Sequence, residues 1–238
     1  MEWDELKDKM NTAAGILRWE LANMWGHVSV RKPDGGGFIL MHLRPPNDPH
    51  LEPDEVLEYD LDGNLISGTR DEPDELHFYT SPYKARKDVG AVIHCHPSLA
   101  IAVIAAGKKI QAIHQSSITF AGGVPVAPWL YGFWPEHGQQ AVKRLGKHPA
   151  LMIRGHGSLV VGPTLEEACM TTVQLERTAH MILAAGSLGK IQPLSDRNIE
   201  QFQSVVGKRS DKNVPARVPL DWRYYESLVK QGKGWSRP

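Results

Sequence analysis

His94-Cys95-His96 is the segment of this sequence best suited to chemistry. It closes the run from Val89 to His94, apolar without alternation, which is the pattern of a strand covered on both faces. Side chains at i and i+2 of a strand leave on the same side, so the two imidazoles can converge on one point while Cys95 turns away and packs as a thiol. Such a pair is a fork for a divalent cation. A second piece is Arg154-Gly155-His156-Gly157-Ser158, set between the apolar segments 151–153 and 159–161. Its glycines allow a tight turn and a close approach of backbone to ligand. Alone, His156 reads as a polar loop residue; joined to the strand-end pair it reads as a third ligand. Three neutral imidazoles with one open position form a catalytic metal arrangement, because water or substrate can enter the fourth.

A His-X-His pair also occurs in cupins and amidohydrolase barrels. A cupin would place a glutamate a few residues downstream, where this chain has Pro97-Ser98-Leu99-Ala100, and a barrel needs more strands than 238 residues supply here. Glu75, read alone, is a favourable acid at a helix start. His114, His137, His148 and His180 have no partner at ligand spacing, so surface or core roles fit them. Trp129, Tyr131, Phe133 and Trp134 read as core packing, with a wall for a planar substrate as the alternative. His27, Arg31 and Arg154 could hold a substrate carboxylate at the rim, although Arg31 could equally be an exposed strand end.

The elements that must position these groups follow from periodicity and turn chemistry. An amphipathic helix spans 3–24, carried by Leu6, Met10, Ala13, Leu17, Leu21 and Met24 and ended by Gly26. A hairpin pairs His27–Arg31 with Phe38–Leu43, a proline-rich loop covers Arg44–Glu52, and a second hairpin pairs Glu55–Tyr59 with Leu65–Ser67 around Asp62-Gly63-Asn64. A helix over Asp74–Arg86 is strained or cut short by Pro82. Helices are expected at Ser98–Ala106 and Pro135–Lys147, with short strands at Ile110–Ile113 and Val124–Ala127. Thr164 to Glu167 is a capping box opening a helix that stops at Gly186. The remainder is polar and irregular up to a last helix, Leu220–Lys230. The class is therefore α/β, or α+β with helices on both sides of a mostly antiparallel sheet.

Composition removes other classes of function. Lys and Arg number 27 against 27 Asp and Glu, which leaves no basic excess for nucleic acid. No run approaches the ~18 apolar residues of a membrane span. Two cysteines make no disulfide framework, and the acidic Met-Glu-Trp-Asp-Glu start is unlike a secretory signal. A cytoplasmic protein is expected.

Taken together, Gly26-His27-Val28-Ser29-Val30-Arg31, Glu75, the stretch Tyr83 to Pro97 and Gly155-His156-Gly157 with its capped helix resemble the class II aldolase/adducin family, typified by fuculose-phosphate aldolase. The resemblance implies a single-domain three-layer α/β/α fold over residues 1–238, with a mostly antiparallel central sheet. It implies one divalent metal ion per subunit at His94, His96 and His156, zinc first and Mn, Co or Fe as alternatives, with Glu75 as fourth ligand or catalytic acid/base. It also implies a homotetramer with the site at a subunit boundary, where the tail 208–238, through Trp222, Tyr224 and Tyr225, would reach a neighbour's pocket. The chain departs from the sugar-phosphate members in three places. Trp25-Gly26-His27 stands for their Ser-Gly-Asn turn, Pro73-Asp74 for their Ser-Ser, and Tyr79 for a histidine. These losses argue against a phosphorylated sugar. The expectation is a metal-dependent carbon–carbon lyase acting on a small-molecule acid through a metal-stabilised enolate or carbanion. Decarboxylation of an unphosphorylated hydroxy or aromatic acid comes first. Aldol cleavage of a hydroxy-keto acid or sugar is the alternative, and a non-catalytic adducin-like interaction module the more distant one.

Overall fold

The computed structural model describes residues 3–22, 25–43, 56–68, 73–210 and 217–231. Its eight strands are β1 (Gly26–Arg31), β2 (Gly37–His42), β3 (Val56–Asp60), β4 (Leu65–Ser67), β5 (Ala91–Cys95), β6 (Val126–Ala127), β7 (Ala150–Ile153) and β8 (Ser158–Gly162). They form one sheet in the order β4-β3-β2-β1-β5-β8-β7-β6. Every neighbouring pair is antiparallel except β6 with β7. The helices are α1 (Trp3–Leu21), α2 (His77–Ala85), α3 (Ser98–Ala105), α4 (Pro135–Leu145), α5 (Leu165–Leu188), α6 (Asp196–Ser210) and α7 (Arg217–Lys230). No helix among the described residues is long and apolar enough to cross a membrane.

The two-residue alternation of the central strands sorts the layers. Val28, Val30, Ala91, Ile93 and Cys95 join the cluster built with α1, α5 and α7, whereas Val92, Phe38 and Leu40 join the one built with α2 and α4. A third cluster, from α3, α5, β7 and β8, fills the far end. This is the expected α/β/α sandwich. His94 lies on the α2 side because Ile93 and Cys95 must lie on the other.

Several elements differ from expectation. α1 stops at Leu21, where Ala22 takes a positive φ of 48°; Met24 lies outside the described residues. Gly26 does not end that helix. It opens β1, because a Cβ there would fall 2.1 Å from the His94 carbonyl oxygen. The Arg44–Glu52 loop and Glu55 also lie outside the described residues. Pro82 does not break α2: the lost backbone bond is outweighed by burial of Tyr79 and Tyr83, and the Tyr83 hydroxyl lies 2.6 Å from Ser29 Oγ. Residues 110–113 form no strand. The Ile110 and Ala112 carbonyls each accept a single bond, from Val124 and Leu194, and no ladder follows. Thr164 Oγ1 caps the Glu167 N–H, but the Glu167 carboxylate returns to the Thr164 hydroxyl, so the reciprocal backbone bond of the expected box is replaced. α5 passes through Gly186 to Leu188. α6 was not expected; its readable signal is Ser195, whose Oγ accepts from Asn198 N–H ahead of a thin stripe in which Ile199 is buried.

One buried carboxylate holds the segment after the histidine pair. Glu176, on α5, accepts from Leu99 N–H through Oε1 and Ala100 N–H through Oε2, both at 3.0 Å, at the first turn of α3. These are donors a helix start leaves without partners. Glu176→Ala should therefore destabilise the protein by about 1–3 kcal/mol, read by urea unfolding; a value near zero would show that water replaces the carboxylate.

Candidate metal centre

Three imidazoles meet at the end of the sheet. His94 is the penultimate residue of β5 and His96 follows that strand, while His156 sits in the β7–β8 turn. Pairing of β5 with β8 sets Cys95 opposite Ser158 and so brings the turn alongside. Gly155 takes φ +67° there, and Ile153 N–H closes on the Gly157 carbonyl at 2.8 Å. Ring centroids stand 5.0 Å apart for His94 and His96, 5.0 Å for His94 and His156, and 5.1 Å for His96 and His156.

Glu75 completes the group from the turn ahead of α2. Its backbone packs so closely on Gly132 that a Cβ at that glycine would lie 2.8–2.9 Å from Glu75 atoms, and His77 N–H donates to the Gly132 carbonyl. Glu75 Oε2 is 2.9 Å from His94 Nε2 and Oε1 is 3.1 Å from His156 Nε2. Yet His94 Nε2 and Glu75 Oε1 are buried without an aligned hydrogen bond. One ligand atom from each of the four residues lies within 4.8 Å of the others.

The opposite ring nitrogens explain why. His94 Nδ1–H donates to the Ser158 carbonyl at 2.9 Å, and His156 Nδ1–H to the Leu130 carbonyl at 2.8 Å. Those bonds orient each ring so that its Nε2 faces the Glu75 carboxylate, the nitrogen a cation between them would take. Burial and the neighbouring His94 and His156 push His96 down to about 4, against the pull of Glu75, so it is neutral near pH 7. Burial disfavours a charged His156, but Glu75 and the Leu130 carbonyl outweigh it and raise its proton affinity. Burial likewise raises Glu75, yet the two histidines hold it below the usual carboxylate range. Convergent imidazoles, orphaned buried donor atoms and one anionic carboxylate fit a divalent cation.

Gly157 keeps this geometry open. A Cβ there would lie 2.5 Å from the Cys95 carbonyl and 2.6 Å from His96 Cδ2. Gly157→Ala should weaken cation binding about tenfold or more by turning His96. A metal titration measures it, and unchanged affinity would show that His96 need not hold that place.

The other sequence-derived candidates divide. His27 is brought close: it is buried, pairs with His94 across β1 and β5, and packs on His42 and Tyr79 at 4.3 and 5.7 Å. Arg154 stands exposed on the turn beside His156. Arg31 is corrected: it occupies the opposite end of β1, its guanidinium donating to the Val89, Tyr83 and Arg86 carbonyls and lying over the Tyr83 ring. Tyr225, expected to reach a neighbour's pocket, packs within this chain on the other face of the sheet and donates its hydroxyl to Glu20, which also pairs with Arg177. The aromatic cluster is not core: Trp129, Phe133 and Trp134 are exposed, at 55%, 60% and 40%. Tyr131 flanks the site, 6.0 Å from the His156 ring with its hydroxyl on Asp74, in line with the alternative reading of that cluster, whereas sequence reasoning missed that Phe78 packs on His94 and His156.

The family model described as Class II Aldolase and Adducin N-terminal domain matches residues 17–183. The 3,4-dihydroxyphthalate decarboxylase of Arthrobacter keyseri is 29% identical over 218 residues, covering 83% of this chain and 86% of that protein. A 5-methylthioribulose-1-phosphate/5-deoxyribulose-1-phosphate aldolase of Rhodospirillum rubrum is 28% identical over 156 residues, covering 65% and 68%. Among solved structures, an aldolase II superfamily protein from Pseudomonas syringae superimposes with a TM-score of 0.77 over 97% of this chain and 94% of that one, at 22% identity, a likeness of fold.

Proposed function

This chain belongs to the class II aldolase and adducin family, and on that premise we propose that it is a divalent-metal-dependent carbon–carbon lyase, in the first place a decarboxylase of an unphosphorylated hydroxy or aromatic acid. The observation that carries the proposal is the triangle of imidazoles, His94 buried and His96 and His156 half-buried, closed by Glu75. His94, His96 and His156 would hold the cation, zinc by default for three imidazoles. Bound there, it supplies Lewis-acid stabilisation of the negative charge left on the substrate when a carbon–carbon bond breaks. The protein's own groups do the rest. Ser158 and Leu130 carbonyls orient two of the rings, Phe78 excludes water behind them, and Glu75 carries the proton to or from the reacting carbon. Relatives of both kinds, decarboxylase and sugar-phosphate aldolase, support the lyase class. Asp74, whose carboxylate meets Tyr131 beside Glu75, favours the unphosphorylated acid, since a phosphate dianion there would meet like charge.

The test is a panel of hydroxy, keto and dihydroxyaryl acids assayed for CO2 and aldehyde. CO2 from a dihydroxyaryl acid is the expected result; aldehyde without CO2 would reverse the order in favour of an aldolase. We further propose one domain over residues 1–238, a homotetramer and a cytoplasmic location. Exposed Trp25, Trp129 and Phe133 support association through the site end of the sheet. Sedimentation measures it.

A further inference from the structure

Tyr79 carries a hydroxyl that the chemistry above leaves unused. It follows Glu75 by four residues, across the turn that leads into α2. The ring is fully buried, stacked near Phe38 with 6.4 Å between centroids and edge-on to His27 at 5.7 Å. Its oxygen is buried with no hydrogen-bond partner among the described residues. Tyr83, one turn further, spends its hydroxyl on Ser29. An orphaned buried hydroxyl is a standing cost that phenylalanine would avoid in the same space. The packing thus accounts for the ring of Tyr79 and not for its oxygen.

A second orphan lies beside it. Glu75 Oε1 is a buried acceptor without an aligned hydrogen bond. After burial itself, the negative charge of Glu75 is the foremost influence on the Tyr79 phenol, which places the two groups within each other's field. A buried hydroxyl without a partner and a buried carboxylate oxygen without an aligned one therefore lie four residues apart in sequence, the first against His27, whose strand pairs with that of His94.

Building on the function proposed above, we propose that Tyr79 is a positioning residue: its hydroxyl receives the Glu75 carboxylate when that carboxylate turns away from His94 and His156 to admit a substrate with two adjacent oxygens. Glu75 then has two buried places, one against the imidazole nitrogens and one against the phenol. A substrate that displaces it does not leave a carboxylate stranded without a donor.

The test compares wild type with Tyr79→Phe by titration with Zn2+ alone, and then, on the zinc-loaded proteins, with salicylate (two adjacent oxygens) and azide (one ligating atom). The variant should melt at the wild-type temperature or above and bind Zn2+ as tightly or more tightly. It should bind salicylate about tenfold more weakly, the loss of one charge-assisted hydrogen bond, and azide equally well. In a Glu75→Ala background the same substitution should leave salicylate affinity unchanged. Equal salicylate affinity in the two proteins overturns the assignment, as does a parallel loss of Zn2+ or azide binding, which would make Tyr79 a structural support. Wild-type protein that takes up no Zn2+ overturns the metal reading itself, and this inference with it.

Discussion

Replacing His94 with alanine should abolish stoichiometric uptake of a divalent cation and lower turnover by roughly three orders of magnitude. The ring is completely buried and its Nδ1 is committed to the Ser158 carbonyl, so no other group can supply a nitrogen at the same point. Two imidazoles and Glu75 would be left around an enlarged opening. His96→Ala and His156→Ala should act in the same direction, and dialysis of the wild-type protein against a chelator should reproduce the loss, with activity returning when the cation is restored. Elemental analysis beside turnover measures both quantities. Full activity in protein freed of every divalent ion would end the metal proposal. Acid should weaken uptake, because ligand nitrogens must be unprotonated. The proton competes more at His156, where Glu75 raises proton affinity against the effect of burial, than at His96, held at about 4.

Glu75→Gln should separate proton transfer from ligation. Glutamine keeps the size and one coordinating oxygen but cannot carry the proton, so kcat should fall by about 10²–10⁴. Cation affinity should fall only about tenfold, because three imidazoles remain. Added cation should therefore saturate the variant without restoring its rate. The environment supports this division: Glu75 is buried, its backbone is wedged against Gly132, and its oxygens reach His94 and His156 rather than solvent. Recovery of the wild-type rate at saturating cation would make Glu75 a ligand and nothing more.

Much of the site was readable along the chain. The period of a strand is two, so His94 and His96 on one face and Cys95 on the other follow from the apolar run before them, and the structure buries Cys95 in the α1–α5 cluster. Both hairpins were readable from their turns for the same reason: a turn is chosen by the three or four residues that make it. Glu75 was not. As a residue it is one more acid at a helix start, and only the resemblance singled it out.

Tertiary contacts decided the rest. His156 is aimed by the Leu130 carbonyl, 26 positions away, and His94 by the Ser158 carbonyl, 64 positions away. Arg31 was drawn to three backbone carbonyls, Tyr225 to Glu20, and Pro82 was carried inside a helix by the burial of its neighbours. Residue types and local periodicity therefore determined which groups this protein could use and on which face of a strand they would fall. Where each nitrogen and oxygen points was decided by the sheet order and by hydrogen-bond partners distant in sequence, since a side chain's orientation is the property of the contacts around it.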